Sequence, residues 1–404
     1  MEYYIIIAAS LVIILSYLFN IVSNKWNIPA VLLLIILGIS LREFIGIFGV
    51  EKETILDTFS RIRILEVLGT SGLILIVLEA ALELKVARDK FKLIYKSFLI
   101  ALFGLLFCMF GIGGIFYGSF EMDWITALIY ATPLSIISSA IVIPSVVNLK
   151  KENEEFHIYE STFSDILGIM GFYFLIAYAE PVNKSLVLGD FSVNLFITIV
   201  TSILLSYVLI YIFQNLETKI KLFLMIAVLF LLFSVGKLMH LSSLLIILIF
   251  GLILNNHKLF FQGVFRKFIK PIAIENIRET FLMITMESAF VIRTFFFVIF
   301  GFSIAISSLF DISVAVVSFA VLSVIYLSRI MVFFPFRHAE KVQAISIAPR
   351  GLITLLLFYS IPESLEFQDF KSGILLFTII ISSLVMTSGL LKKAPDNEDV
   401  SEVA

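Results

Sequence analysis

The sequence predicts an all-α polytopic membrane protein with about thirteen transmembrane helices. Three observations lead there. Sixty percent of the 404 residues are hydrophobic, 15% are charged and the mean hydropathy is +1.08, more apolar surface than a soluble chain of this length can hide. Apolar runs of about 20 residues, enough to cross a bilayer as a helix, recur from end to end. The loops between them are short, and basic residues collect in alternate ones.

In chain order the spans cover 3–22, 28–48, 65–84, 94–118, 124–148, 156–179, 191–215, 219–236, 241–256, 279–308, 311–334, 342–361 and 372–391. The first reads as a span and not a removable signal, because Met1 to Asn20 lacks a basic start and a small-residue cleavage site. The tenth is the longest and invites a break. No soluble domain is inserted, so residues 1–393 form one membrane domain, followed by a short, acidic, flexible cytoplasmic tail, 394–404. Cys108, the single cysteine, lies in an apolar run, which excludes a disulfide framework and a cysteine-based metal site.

Orientation follows from the loops. One alternate set carries Lys25, Lys85, Arg88, Lys90, Lys92, Lys96, Lys150, Lys151, Lys219, Lys221, Lys258, Arg266, Lys267, Lys270, Arg278, Arg337, Lys341, Lys392 and Lys393, nineteen in all. The other carries six: Lys52, Arg61, Arg63, Lys184, Lys237 and Lys371. Basic loops stay in the cytoplasm, so the amino terminus is expected outside and the carboxyl terminus inside. The size and short tail suggest a prokaryotic cell membrane.

The chain's chemistry centres on Tyr159-Glu160-Ser161-Thr162-Phe163-Ser164-Asp165, inside the sixth span. A charge at that depth costs at least ~2.5–3.5 kcal/mol, so it needs a partner and a job. Residues four apart share a helix face, which aligns Glu160 with Ser164 and Ser161 with Asp165. Arg329 and Arg350 lie in the eleventh and twelfth spans, and Glu160 with Arg329 is the expected pair. Arg42, beside Glu43 near a span end, can snorkel.

Two spans look broken. The fifth contains Thr132-Pro133 and, further on, Pro144; the twelfth contains Pro349-Arg350-Gly351 in mid-span. Proline removes a backbone donor and glycine loosens a helix, and such breaks survive at membrane depth only where protein or water satisfies the freed groups. The two broken spans are an odd number apart and so run in opposite directions, as two inverted repeats require. Paired interrupted helices mark a transporter's midplane site.

These residues resemble the monovalent cation:proton antiporter family, on the side of the sodium/proton exchangers. Glu160 to Asp165 is similar to its Glu-Ser-x-x-Asn-Asp motif, and Leu327-Ser328-Arg329-Ile330 falls where the family keeps the arginine that pairs with the motif glutamate. Pro349-Arg350-Gly351 resembles the Arg-Gly of its second broken helix, Leu78 to Leu84 its third-span signature, and Glu287 to Gly301 its tenth-span segment. The resemblance implies crossed broken helices and a homodimer. A core of spans at about 94–179 and 311–391 would move against a scaffold at about 3–84 and 219–308. It also implies Asp165 as the shared carrier of proton and cation, with Ser164, Ser161 and Thr132 as further oxygens. Glu160 and Arg329 would form a structural ion pair, and Arg350, Pro133, Pro349 and Gly351 would shape the breaks.

Two departures stand out. Ser164 replaces the family's Asn or second Asp, which favours one-for-one, electroneutral exchange. Thr132 meets Pro133 directly where the family has Thr-Asp-Pro, and Thr132, Ser135, Ser138 or Ser139 are left to offer neutral oxygens instead. On spacing alone, Ser138 and Ser139 read as small packing residues. Glu79 and Glu83 read as a solvated helix end or, alternatively, a cytoplasmic funnel. His157 is an interfacial histidine or a pH sensor, while Glu287 and Arg293 bridge the two bundles.

The expected function is exchange of sodium, potassium or lithium for protons across a lipid bilayer, in the service of pH homeostasis. No cofactor, nucleic-acid partner or enzymatic activity is expected, since no phosphate loop, His/Cys cluster or basic face is present in the sequence. The alternatives are a non-transporting membrane sensor or partner module, and a sodium-coupled solute symporter on the same fold.

Overall fold

The computed structural model describes residues 2–26, 30–47, 64–84, 86, 90–179, 184–215, 221–238, 243–262, 269–303, 311–334, 341–367 and 369–391. Among them every regular element is helical. The α-helices are α1 (Glu2–Trp26), α2 (Ala30–Ile47), α3 (Ile64–Glu83), α4 (Phe91–Phe120), α5 (Trp124–Ser135), α6 (Ser139–Ser145), α7 (Lys151–Ala179) and α8 (Lys184–Gln214). They continue as α9 (Lys221–Leu238), α10 (Ser243–Asn255), α11 (His257–Phe260), α12 (Pro271–Ser303), α13 (Ile312–Phe333), α14 (Lys341–Ser346), α15 (Leu352–Phe358) and α16 (Gly373–Leu391).

Each of the thirteen expected spans coincides with one helix or one interrupted pair. The fifth span is α5 and α6, and the twelfth is α14 and α15. Among the described residues nine segments are long and apolar enough to cross a membrane, with α5 and α6 taken together.

Helix ends follow capping chemistry more than hydropathy. Asp123 accepts from the N–H groups of Ile125 and Thr126, at 3.0 and 3.1 Å, and so starts α5. Asp311 caps α13 through Ser313 N at 2.9 Å and binds Lys371 Nζ at 2.6 Å. The Lys371 ammonium, then Ser313, hold the Asp311 carboxyl down at about 2. α7 begins five residues before its apolar run, because Lys151 to Glu155 continue the helix and Glu155 pairs with Lys90 at 2.7 Å. The tenth span corrects an expectation: α12 runs unbroken from Pro271 to Ser303, with proline at the first helical position, where its missing donor costs nothing.

Residues 304–308, the tail 394–404, and Lys52, Arg61, Arg63, Lys85, Arg88, Lys219, Arg266, Lys267, Arg337, Lys392 and Lys393 lie outside the described residues. Packing places the broken pairs centrally. α4 lies against α5, α7 and α13, and α13 and α14 pack on α16. α12 runs along α2 and α3, while α10 contacts α3, α8 and α9. α15 touches α5 and α7, and also α3.

Candidate functional site

Each break begins where a half-helix loses its donors. Pro133 sits in the last turn of α5, and the chain is extended at Ile136 to Ser138 before α6 resumes. Ile347 to Gly351 separate α14 from α15. The breaks meet: Ser138 N–H donates to Pro349 O at 3.0 Å. Gly351 permits this approach, since a Cβ there would stand 2.6 Å from Ser138 Oγ.

Neighbouring helices satisfy the freed backbone groups. Ile137 N–H donates to Ser164 Oγ on α7 at 3.0 Å, and Arg350 N–H donates to Ser382 Oγ on α16 at 3.1 Å. This accounting makes an interrupted helix tolerable inside a membrane.

Two opposite charges complete the crossing. Arg350 is 1% exposed and donates to Leu134 O (2.5 Å) and Ala348 O (3.2 Å), at the carbonyl ends of α5 and α14. A guanidinium is favoured at the negative end of a helix dipole, and here it serves two such ends. Its remaining partner is Cys108 Sγ on α4, at 3.6 Å. Asp165 is 3% exposed, and its Oδ2 accepts both the Ser139 hydroxyl and, at 3.3 Å, the Ser139 N–H. Asp165 Oδ1 has no hydrogen-bond partner among the described residues.

Glu160, five residues before Asp165 on the same helix, is compensated. Arg329 donates to it through both terminal nitrogens, and His157 Nδ1 lies 3.0 Å from Oε2. Arg329 also donates to Ala344 O at 2.6 Å and lies over the Phe333 ring at 4.6 Å. All three of Glu160, His157 and Arg329 are buried.

Two cavities flank the carboxylate. One, of about 600 Å³, is lined by Asn20, Glu79, Glu83, Asn148, Arg293 and Ser139 among others. The second, of about 20 Å³, is lined by Asp165 and Thr162 with apolar side chains of α3, α7, α10 and α15. It has room for about one water-sized occupant. Ile76 and Ala80 line both cavities, so the Asp165–Ser139 contact lies where the two adjoin.

The residues singled out in the sequence divide accordingly. Asp165, Ser164, Pro349, Arg350 and Gly351 gather at the crossing, with Pro133 in the turn before it, and Glu160 and Arg329 are in contact beside it. The hydroxyl protons of Ser161 and Thr132 do not reach Asp165. Ser161 donates to His157 O at 2.8 Å and Thr132 to Leu128 O at 2.7 Å, each bonding back within its own helix. Glu287 is exposed, whereas Arg293 shares the large cavity with Glu79 and Glu83.

Ser139, read as packing, is the hydroxyl at the carboxylate, and Cys108, given no role, is the side chain at Arg350. Spacing signals neither contact, because both cross between elements. His157 is at Glu160, where its i, i+3 spacing could have placed it.

The architecture is shared with solved structures. The sodium proton antiporter MjNhaP1 from Methanocaldococcus jannaschii, solved at pH 8, superposes with a TM-score of 0.71 at 21% identity, covering 98% of this chain and 97% of that one. The structure of the same antiporter from an electron-microscopy map gives 0.70 at 18% identity, with 96% of each chain covered. A search of the curated proteins returned no match. The family model for the transmembrane region of sodium/hydrogen exchangers matches residues 7–393. With nearly its whole length matched, the chain belongs to the sodium/hydrogen exchanger family and is a multi-pass membrane transporter, not an enzyme.

Proposed function

We propose that the chain exchanges a monovalent cation (sodium, with potassium and lithium as alternatives) for protons, and that Asp165 is the carboxylate the two ions share. The observation that carries this reading is the contrast on α7. Glu160 is neutralised by Arg329, while Asp165 is equally buried and has only Ser139 for a polar partner among the described residues. A buried carboxylate without a cationic side chain neutralises itself by binding a proton or a cation, and the two exclude each other. Mutual exclusion on one carboxylate is exchange. With a serine before Asp165, one charge moves each way and the cycle is electroneutral.

Access alternates. α4 to α7 with α13 to α16 form the moving core, α1 to α3 with α9 to α12 the scaffold, and the working unit is a homodimer in a prokaryotic cell membrane. Nineteen basic residues against six support an outside amino terminus and a cytoplasmic carboxyl terminus. The large cavity then opens to the cytoplasm, and Glu79 and Glu83 attract cations toward Ser139.

The test is flux in vesicles that hold an internal pH dye and an imposed pH gradient. Adding sodium, lithium or potassium is expected to discharge the gradient for wild type and to leave it intact for Asp165→Asn. Silence of well-folded wild type toward all three ions would remove the antiporter reading in favour of a membrane sensor.

A further inference from the structure

The two ends of the bundle around the crossing are finished differently. The large cavity approaches from the α6 side, lined by Ser139, Ser145 and Asn148. Tyr130 precedes the break and Asn148 follows it, so what surrounds Tyr130 lies on the other side of the crossing. There the interior is filled with rings. Phe370, between α15 and α16, has its ring centroid 4.9 Å from that of Tyr130 and 5.2 Å from that of Phe358, the last residue of α15. Phe116 and Phe120, at the end of α4, are 5.5 and 5.9 Å from it. Phe367 packs on Phe120 at 6.3 Å, and its N–H donates to Tyr130 Oη at 2.7 Å. Phe116 is 0% and Tyr130 1% exposed. Glu363, Glu366 and Asp369, neighbours of these phenylalanines in the chain, are exposed instead.

We propose that these rings are the proton and water barrier of the transporter on the side away from the large cavity, with Phe370 at its centre. The barrier lies inside the bundle of α4, α5 and α15, and not between that bundle and the helices it packs on. Tilted and edge-on rings at these distances fill space closely. Water needs polar partners to stay in a protein interior, and an apolar constriction dewets. The Tyr130 hydroxyl, a polar group within the cluster, is engaged by the Phe367 N–H. An exchanger whose crossing is wetted from both ends at once would pass protons without a cation and dissipate the gradient it couples. The inference stands apart from the choice of Asp165 as carrier.

Wild type, Phe370→Ser, Phe370→Leu, Asp165→Asn and the double variant Phe370→Ser/Asp165→Asn would be reconstituted at full length in vesicles with an internal pH dye. The medium is choline thiocyanate, so no sodium, potassium or lithium is present and the permeant anion carries the compensating charge. After an imposed pH step, Phe370→Ser is expected to discharge the gradient about tenfold faster than wild type. Serine opens space and offers water a partner. Phe370→Leu, still bulky and apolar, and Asp165→Asn are expected to stay within about twofold of wild type. The double variant is expected to leak like Phe370→Ser, because water and not the carrier conducts.

A folded Phe370→Ser as tight as wild type overturns the inference and leaves the rings to packing, whatever its melting temperature. A leak that vanishes in the double variant is slip through Asp165, which overturns the barrier and supports the carrier reading. An equal leak from Phe370→Leu is a general loosening of the bundle and overturns the barrier too. If Phe370→Ser does not fold, Phe120→Ser with Phe120→Leu decides by the same criteria.

Discussion

Glu160 accepts from Arg329 on α13 and meets His157 one turn back, and Arg329 reaches on to the Ala344 carbonyl of α14 and over the Phe333 ring. One buried carboxylate therefore anchors His157 and Arg329, and through Arg329 the end of α14. Glu160→Ala strands a buried guanidinium, a loss of about 3–5 kcal/mol, and Arg329→Met leaves the carboxylate with His157 as its remaining partner. Combining Glu160→Leu with Arg329→Met leaves no charge unpaired and is expected to recover most of the melting temperature that each single variant loses. A double variant as unstable as the two losses summed would show that the groups are not coupled. At this scale the sequence shows which residues matter by their charge at membrane depth, which picks out Glu160, Asp165, Arg329 and Arg350. It does not show their partners. Helical spacing offers Ser161 to Asp165, but the hydroxyl that arrives is Ser139, 26 residues away, carried there by a break whose geometry no periodicity encodes.

The breaks are the elements on which the site depends, and they are built against each other. The Ser138–Pro349 backbone bond needs Gly351 bare, because any Cβ there would press on Ser138 Oγ. Gly351→Ala is expected to cost about 1–3 kcal/mol of stability through this clash and a second with Ile141 Cδ1 at 2.7 Å, and adding Ser138→Gly is expected to relieve the part due to Ser138. Melting temperatures of the two single variants and the double variant check this, and a double variant no better than Gly351→Ala would place the strain elsewhere. Proline and glycine make such breaks readable, since both act through backbone chemistry that the sequence states outright. Length alone invited a break in the tenth span, yet that region contains no internal proline and α12 runs through to Ser303. Helix starts were less legible than helix existence, because charged residues such as Lys151 to Glu155 extend a helix beyond its apolar run.

For the whole molecule the apolar surface is the defining feature. Ile7, Leu11, Ile14 and Leu18 on α1, and Phe196, Leu204 and Val208 on α8, are exposed along their helices, an arrangement suited to a bilayer as solvent. The class was legible because lipid imposes span length on every helix. Which end faces the cytoplasm depends instead on loop charges, many of them outside the described residues, and needs its own measurement. Asn148, exposed after α6, lines the large cavity. Ser364, exposed between α15 and α16, lies near Phe367, whose N–H donates to Tyr130 Oη midway along α5, before the break. α5 and α6 run between these points, which places Asn148 and Ser364 at opposite ends of the bundle. Cys108 is 1% exposed, so an impermeant maleimide meets little background from the native cysteine. In intact cells the reagent is expected to modify Ser364→Cys and spare Asn148→Cys, with both modified after permeabilisation. The reverse pattern would invert the orientation and turn the large cavity to the outside. Labelling of both from outside would mean that the two positions do not face opposite sides of a sealed membrane, and the thirteen-span topology would fail with it.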